Sequence, residues 1–195
     1  SGGAGMKRYL IVFLAVLLIS TAASAQTNGY IGLFADETHT SWCASAATVP
    51  GPFTMYIFCL PRTDGTFCAE FQLLMPEDPT LILGTATPQD GYSVIMGALV
   101  DGVSFCFLDC QNDWIWIYSC LMYDTGGNQN SIGIGPHPQS GDILFNSCTP
   151  PQFDIYSAVV FNNLYVNYVD GVDPECDETA TAERSWGAIK SLYAD

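Results

Sequence analysis

Eight cysteines, two histidines and twenty carboxylates are the groups in this 195-residue chain from which chemistry could be built. They do not assemble into a recognisable catalytic pattern. His39 sits in "DETHTSWC" and His137 in "GPHPQSG", both turn-like polar segments, and no G-x-S-x-G elbow supplies a serine for either. The "DTGG" at Asp124–Gly127 is a lone copy, whereas two carboxylates must share a proton in that chemistry. Paired acids for glycoside cleavage have no distinguishable setting among so many acids. No C-x-x-C occurs, so thiolate zinc is not expected. The one cofactor the sequence offers is calcium. "VDGVDPECDE" places Asp170, Asp173, Glu175, Asp177 and Glu178 close together, and calcium takes 6–8 hard oxygen ligands. The spacing is not that of an EF-hand loop, and a solvated acidic linker is the plainer reading. No enzyme is expected.

A second kind of site is aromatic. "DWIWIYSC" puts Trp114, Trp116 and Tyr118 on one face of a strand and Ile115 and Ile117 on the other. The preceding "VSFCFLDC" alternates in the same way. A two-residue turn at Gln111–Asn112 would pair Phe107 with Trp116 and Phe105 with Tyr118. Both faces of that hairpin are apolar, so it is either covered twice or meets a partner. We expect Phe105, Phe107, Trp116 and Tyr118 in the inter-sheet core and Trp114 at the rim. Cys106, Leu108, Ile115 and Ile117 are expected under a neighbouring layer or loop. Should the aromatics be exposed, Trp114, Trp116 and Tyr118, with Trp42, are the candidate ligand-binding residues for a sugar chain or a protein.

The N-terminus has the form of an export signal. Ser1–Gly5 read as a cloning scar or a mis-set start. Lys7 and Arg8 precede the apolar run Leu10–Ile19, and Ala23–Ala25 is a small-residue cleavage site. The run is too short to span a bilayer. The mature chain should begin at Gln26, outside the cell or on its surface, with the periplasm as the other option. Export makes disulfides the expected state of Cys43, Cys59, Cys68, Cys106, Cys110, Cys120, Cys148 and Cys176. Eight cysteines allow 105 pairings. Cys106 and Cys110 are not expected to be partners, since four strand residues span roughly 13 Å. After the signal only Arg62, Arg184 and Lys190 oppose the carboxylates. Such a surface repels nucleic acid and anionic membranes.

These groups must be positioned by strands. Short runs rich in Val, Ile, Phe, Tyr and Trp alternate with Gly, Pro, Asn and Asp clusters. They predict strands at Tyr30–Phe34, Phe53–Leu60, Thr66–Leu74, Leu81–Ala86, Tyr92–Val100, Val103–Leu108, Trp114–Met122, Ile143–Asn146, Ile155–Phe161 and Leu164–Val169. Thr125–Asp142 reads as one long glycine-rich loop. The expected fold is all-β: a two-sheet antiparallel sandwich. Its expected extent is 26–169, after a scar and signal at 1–25 and before an acidic linker and short amphipathic tail at 170–195. In that tail Trp186, Ile189 and Leu192 follow helical spacing, and an address for export or attachment is the other reading of it.

"FTMYIFCLPRTDGTFCAEFQLLMPEDPTLILGTATP" (Phe53–Pro88) resembles the opening of cohesin-type modules: a strand, a short turn, an aromatic-rich strand, a "DP-x-L" step and a strand ending at a Pro/Gly turn. "IGLFADETHTSWC" and "SWGAIKSLYAD" resemble the ends of secreted β-sandwich proteins of uncultured bacteria. The resemblance implies a jelly-roll or immunoglobulin-like, cohesin-like sandwich outside the cell. The function it implies is an extracellular structural or protein-interaction module, whose partner is a protein or a cell-surface polymer. A carbohydrate-binding module is the alternative, and a small secreted hydrolase the remote one.

Overall fold

A computed structural model describes residues 28–149, 154–168 and Cys176. Among these residues twelve strands form two layers. The first runs β5 (Leu81–Pro88), β8 (Ile115–Asp124), β3 (Gly51–Leu60), β1 (Gly29–Phe34) and β11 (Ile155–Val160). The second runs β6 (Tyr92–Ala98), β7 (Gly102–Gln111), β4 (Thr66–Leu74), β9 (Asn130–Gly135), β12 (Leu164–Val166) and β2 (Cys43–Ala44). β10 (Leu144–Asn146) pairs with β4 on one side and β11 on the other, joining the layers. The pairings are antiparallel except β1 with β11 and β2 with β12. The two-sheet sandwich expected from the sequence is thus the fold.

Period-two alternation builds the core. On β4, Ala69, Phe71 and Leu73 are buried, while Glu70, Gln72 and Leu74 face outward. Ile31, Leu33, Met55, Ile57, Phe105, Ile117, Met122, Ile132 and Phe145 fill the space between the layers. Burying each such side chain contributes about 1.5–3 kcal/mol. β2 and β9 were not among the expected strands. β9 is "NSIGIG": its inward residues Ile132 and Ile134 are buried, but its polar and glycine content reads as loop. β2 has two residues and depends on its neighbour β12.

The expected hairpin of "VSFCFLDC" and "DWIWIYSC" does not form. β7 pairs with β4 and β6, whereas β8 pairs with β3 and β5. The chain between them crosses from one layer to the other. Phe105 and Tyr118 therefore meet face to face across the core, with ring centroids 5.6 Å apart. β8 is also bulged. Tyr118 pairs with Ile57 and Trp116 with Phe58, so Ile117 is the extra residue. A bulge inverts the in–out alternation. Ile117 and Tyr118 are both buried, Ile115 packs against the core, and Trp116 is turned to the outside, half-buried. The expectation that Trp116 joins the core and that Ile115 and Ile117 face elsewhere is corrected by that one residue.

Six cysteines are bridged: Cys43–Cys176, Cys68–Cys106 and Cys110–Cys148. Cys106 and Cys110 are not partners. The expectation of eight bridged cysteines fails at Cys59 and Cys120, which are buried thiols. They lie on paired strands, but Cys120 is opposite Met55 and Cys59 opposite Ile115. Four positions of offset separate them by roughly 13 Å, beyond the ~7 Å limit for a bridge. Burial pushes the Cys120 thiol up to about 12 and that of Cys59 upward as well. Both are inert in the folded state.

Carboxylates organise the turns. Asp78 accepts hydrogen bonds from the Thr80 N–H (2.9 Å) and hydroxyl (2.7 Å) and from the Asn128 (3.0 Å) and Asn130 (2.9 Å) amides. The buried Asp124 accepts from the N–H groups of Gly126 and Gly127 and from Asn167 Nδ2 at 2.7 Å. The glycine-rich turn after β8 is therefore clamped between two anions. The Asn130 amide, then Thr80 and Asn128, hold Asp78 below its ordinary value of 3.8.

Two predictions follow from this architecture. Alkylation in denaturant without reductant should label Cys59 and Cys120 and no others, read by peptide mass. With reductant the melting temperature should fall steeply, since each bridge contributes about 3–5 kcal/mol. The second concerns acid. A depressed carboxylate contributes stability above its unfolded pKa and loses it as pH falls through the folded value. Thermal midpoints should hold steady from neutrality to about pH 5 and fall below the ordinary carboxylate range. The Asp78→Asn variant should lose less across that acid window.

Candidate functional site

The aromatic residues singled out by the sequence occupy three separate environments. Trp114 belongs to a small cluster on the outer side of the first layer. Phe34, Phe58 and Phe161 meet it edge-on at 5.7, 6.4 and 5.5 Å, and the His39 ring stacks on it at 5.0 Å. Gly32 makes the cluster possible: a Cβ there would fall within 3.2 Å of Phe161 and collide with Asn162. Asn162 in turn bonds the Leu33 N–H and carbonyl at 3.0 and 2.8 Å. His39 thus serves packing. Tyr118 is in the core, and Trp116 lies outside, beside Phe58 in the register. Trp42 lines a cleft of about 470 Å³ with Ser41, Asn167, Tyr168 and the Cys43–Cys176 bridge. No continuous strip of Trp114, Trp116, Tyr118 and Trp42 results. Asp170, Asp173, Glu175, Asp177 and Glu178 lie outside the described residues. Among the described residues no group of three or more His, Cys, Asp or Glu is placed to hold a metal.

The unexplained surface is elsewhere, on the outer face of β6, β7, β4, β10 and β11. Register places Val94, Cys106, Cys68, Asn146 and Ile155 in one row across five strands. Met96, Ser104, Glu70, Leu144 and Ser157 form the next. Leu108 continues the outward side of β7. Met96 is 60% exposed, Leu108 62% and Ile155 67%, with Val94 and Val159 also exposed. Leu108 was expected beneath a cover, but among the described residues none lies over it. At ~4.8 Å between strands, the face is roughly 19 Å wide. An antiparallel sheet facing water should present polar residues there.

Two features hold this face in shape. The Cys68–Cys106 bridge joins directly opposite residues in its middle. Glu70, the one charged residue in the two rows, is met by His137 Nδ1 at 3.0 Å. His137 is nearly buried, and its backbone bonds to Asp142 and Gly141 at 2.9 and 2.8 Å. Its ring lies against Gly102, where a Cβ would come within 2.8 Å of it and where φ is +102°. The periphery is acidic: Asp90, Asp101, Asp109 and Asp154 are exposed. Arg62, the one Lys or Arg among the described residues, is committed to Asp64 and to the Tyr156 ring. The result is a rigid surface with the disulfide and Glu70 at its middle, exposed apolar side chains on the strands to either side and a negative margin. The residues that form it were legible only as "YSVIM" and "IYSAVV", runs whose two parities are both apolar.

The fold is that of cohesin modules. A cohesin module from a Clostridium perfringens family 33 glycoside hydrolase superposes with a TM-score of 0.51 at 9% identity, over 74% of this chain and 98% of that one. The sixth cohesin of Acetivibrio cellulolyticus scaffoldin B, solved in complex with a dockerin, gives 0.50 at 11% identity over 73% and 100%. The seventh ScaB type I cohesin of Pseudobacteroides cellulosolvens gives 0.50 at 14% over 76% and 96%. No protein-family pattern and no curated protein matches the sequence.

Since Met96 and Leu108 point outward and are exposed among the described residues, Met96→Asp and Leu108→Asp should each change stability by no more than about 0.5 kcal/mol. Phe105→Ala, one residue from the face but in the core, should cost about 3–5 kcal/mol. Thermal or denaturant melts of the three variants check the contrast.

Proposed function

We propose that this chain is a secreted, disulfide-stabilised protein-interaction module without enzymatic activity, and that it docks its partner on the outer face of β6, β7, β4, β10 and β11. The observation that carries the reading is the pair of cross-strand rows with exposed Val94, Met96, Leu108 and Ile155 around the Cys68–Cys106 bridge. Apolar patches of this kind on an otherwise soluble protein mark interaction sites. A rigid sheet loses little conformational freedom on docking, which favours affinity. The acidic margin selects a partner with a basic rim. Three disulfides suit an oxidising compartment outside the cytoplasm. The cohesin fold adds a partner class to try first, because one of its similar structures is held by a dockerin.

The carbohydrate reading has less support, because Trp114 is engaged by four rings and Tyr118 is in the core. It keeps one foothold, the cleft beside Trp42 and Tyr168. Binding of the full chain to a dockerin panel by interferometry, beside a glycan array, separates the readings. We expect a protein ligand whose affinity falls at least ~100-fold in Met96→Asp/Leu108→Asp, the size of loss expected when central contacts are removed. Glycan binding that survives that double variant and is lost in Trp42→Ala would put the carbohydrate reading in its place.

A further inference from the structure

Among the described residues β6 is the outermost strand of the second layer and pairs only with β7. Along its other side, alternate backbone N–H and C=O groups face away from the sheet. Such edges are ordinarily blunted by charge, proline or bulges. β5, at the edge of the first layer, has a register shift between Leu83 and Ala86 and ends in Pro88. β6 reads Tyr-Ser-Val-Ile-Met-Gly-Ala, with no charged residue and no proline; its register with β7 shifts once, between Tyr92 and Val94, and is continuous from Val94 to Ala98, with Gly97 at φ +86°. Both of its faces are apolar, with Val94 and Met96 outside and the half-buried Ile95 toward the core. Exposed carboxylates stand near both ends, Asp90 before the strand and Asp101 in the turn after it.

We propose that this open edge is completed by the segment Arg184–Lys190 of a second copy of the chain, added as a further strand. This goes beyond docking on the face and does not depend on it. The segment lies outside the described residues; its charge, length and reach select it. Arg184 and Lys190 are the only cations that follow Arg62 in the chain. They bracket Ser-Trp-Gly-Ala-Ile, uncharged and free of proline. Six residues apart, they stand roughly 20 Å from each other when extended, which is also the span of β6 from Tyr92 to Ala98 at ~3.3 Å per residue. Guanidinium and ammonium then meet Asp90 and Asp101 at the two ends in either strand direction. In a strand Trp186 and Ile189 fall on opposite faces, matching the two apolar faces of β6.

Reach selects a second copy over the same chain. Cys176 is bonded to Cys43 on β2, at the far end of the layer, five strand spacings from β6. That is ~24 Å sideways. The eight residues from Cys176 to Arg184 extend to at most ~26–29 Å, which leaves no length to pass around the surface. A neighbouring molecule has no such limit.

The test is the mass of the full chain in solution by light scattering, with hydrogen exchange at β6. We expect self-association to at least twice the monomer mass at low salt, weakening as salt is added. Amides of Val94–Ala98 should exchange at least ~10-fold more slowly than in the dissociated chain. Arg184→Glu/Lys190→Glu should give a monomer with fast exchange there. Asp90→Lys/Asp101→Lys should do the same, and combining all four substitutions should restore the assembly. All four positions are charged, and Asp90 and Asp101 are exposed residues outside β6, so folding is not at stake. A monomer with fast-exchanging Val94–Ala98 in the unsubstituted chain overturns the proposal. So does an assembly indifferent to the four charges. A monomer with slow exchange at β6 also overturns it, in favour of the same chain's tail. Binding on the dockerin panel is read separately through Met96→Asp/Leu108→Asp, so either idea can fail alone.

Discussion

Phe105 is the point on which the two layers close. It is fully buried on β7, with Phe107 and Tyr92 at 5.0 and 6.0 Å in its own layer and Tyr118 at 5.6 Å in the opposite one. Edge-to-face contacts of this kind add about 0.5–1.5 kcal/mol beyond the area they bury. More important is what the contact imposes. With Phe105 inward, Cys106 and Ser104 must point outward, and with them the row through Cys68 and the row through Glu70. The candidate binding face is therefore the reverse side of the core packing, produced by the same alternation.

The opposite layer shows what happens when alternation is interrupted. One extra residue at Ile117 lets Tyr118 and Ile117 both enter the core and sends Trp116 outward. The tryptophan end of β8 then needs its own cover, which Phe34, Phe58, Phe161 and His39 provide for Trp114. Aromatic richness in "DWIWIYSC" thus reflects two packing tasks on two sides of one strand. The disulfides divide labour in a related way. One joins opposite strands in the middle of a face. One joins the end of β7, where the chain leaves for the other layer, to Cys148 after β10, and one ties β2 to Cys176.

Charge and apolar surface are segregated on this protein. Carboxylates sit in turns, where several are occupied by N–H and amide donors, and cations are nearly absent from the described residues. The net negative charge disfavours non-specific contact between copies. Uncharged stretches such as β6 then stand out as places where contact is permitted. A partner that carries the missing positive charge gains selectivity from the rest of the surface.

Composition and alternation alone determine much of this protein: the all-β class and, of the twelve strands among the described residues, ten to within a few residues. Local spacing also separates Cys106 from Cys110. What only the tertiary structure decides is which side of each strand faces what, and which strands are neighbours. Both parities of "VSFCFLDC", "DWIWIYSC" and "YSVIM" are apolar, so hydrophobicity does not choose between core and surface there. The bulge at Ile117 comes from pairing with β3 some sixty residues earlier in the chain. Cys59 and Cys120 remain thiols because register offsets them along paired strands, a distance no local spacing contains. The exposed rows with Val94, Met96 and Ile155 come together only because β6, β7, β4, β10 and β11 become neighbours. Strand pairing is non-local, and so the face belongs to the fold rather than to any one segment.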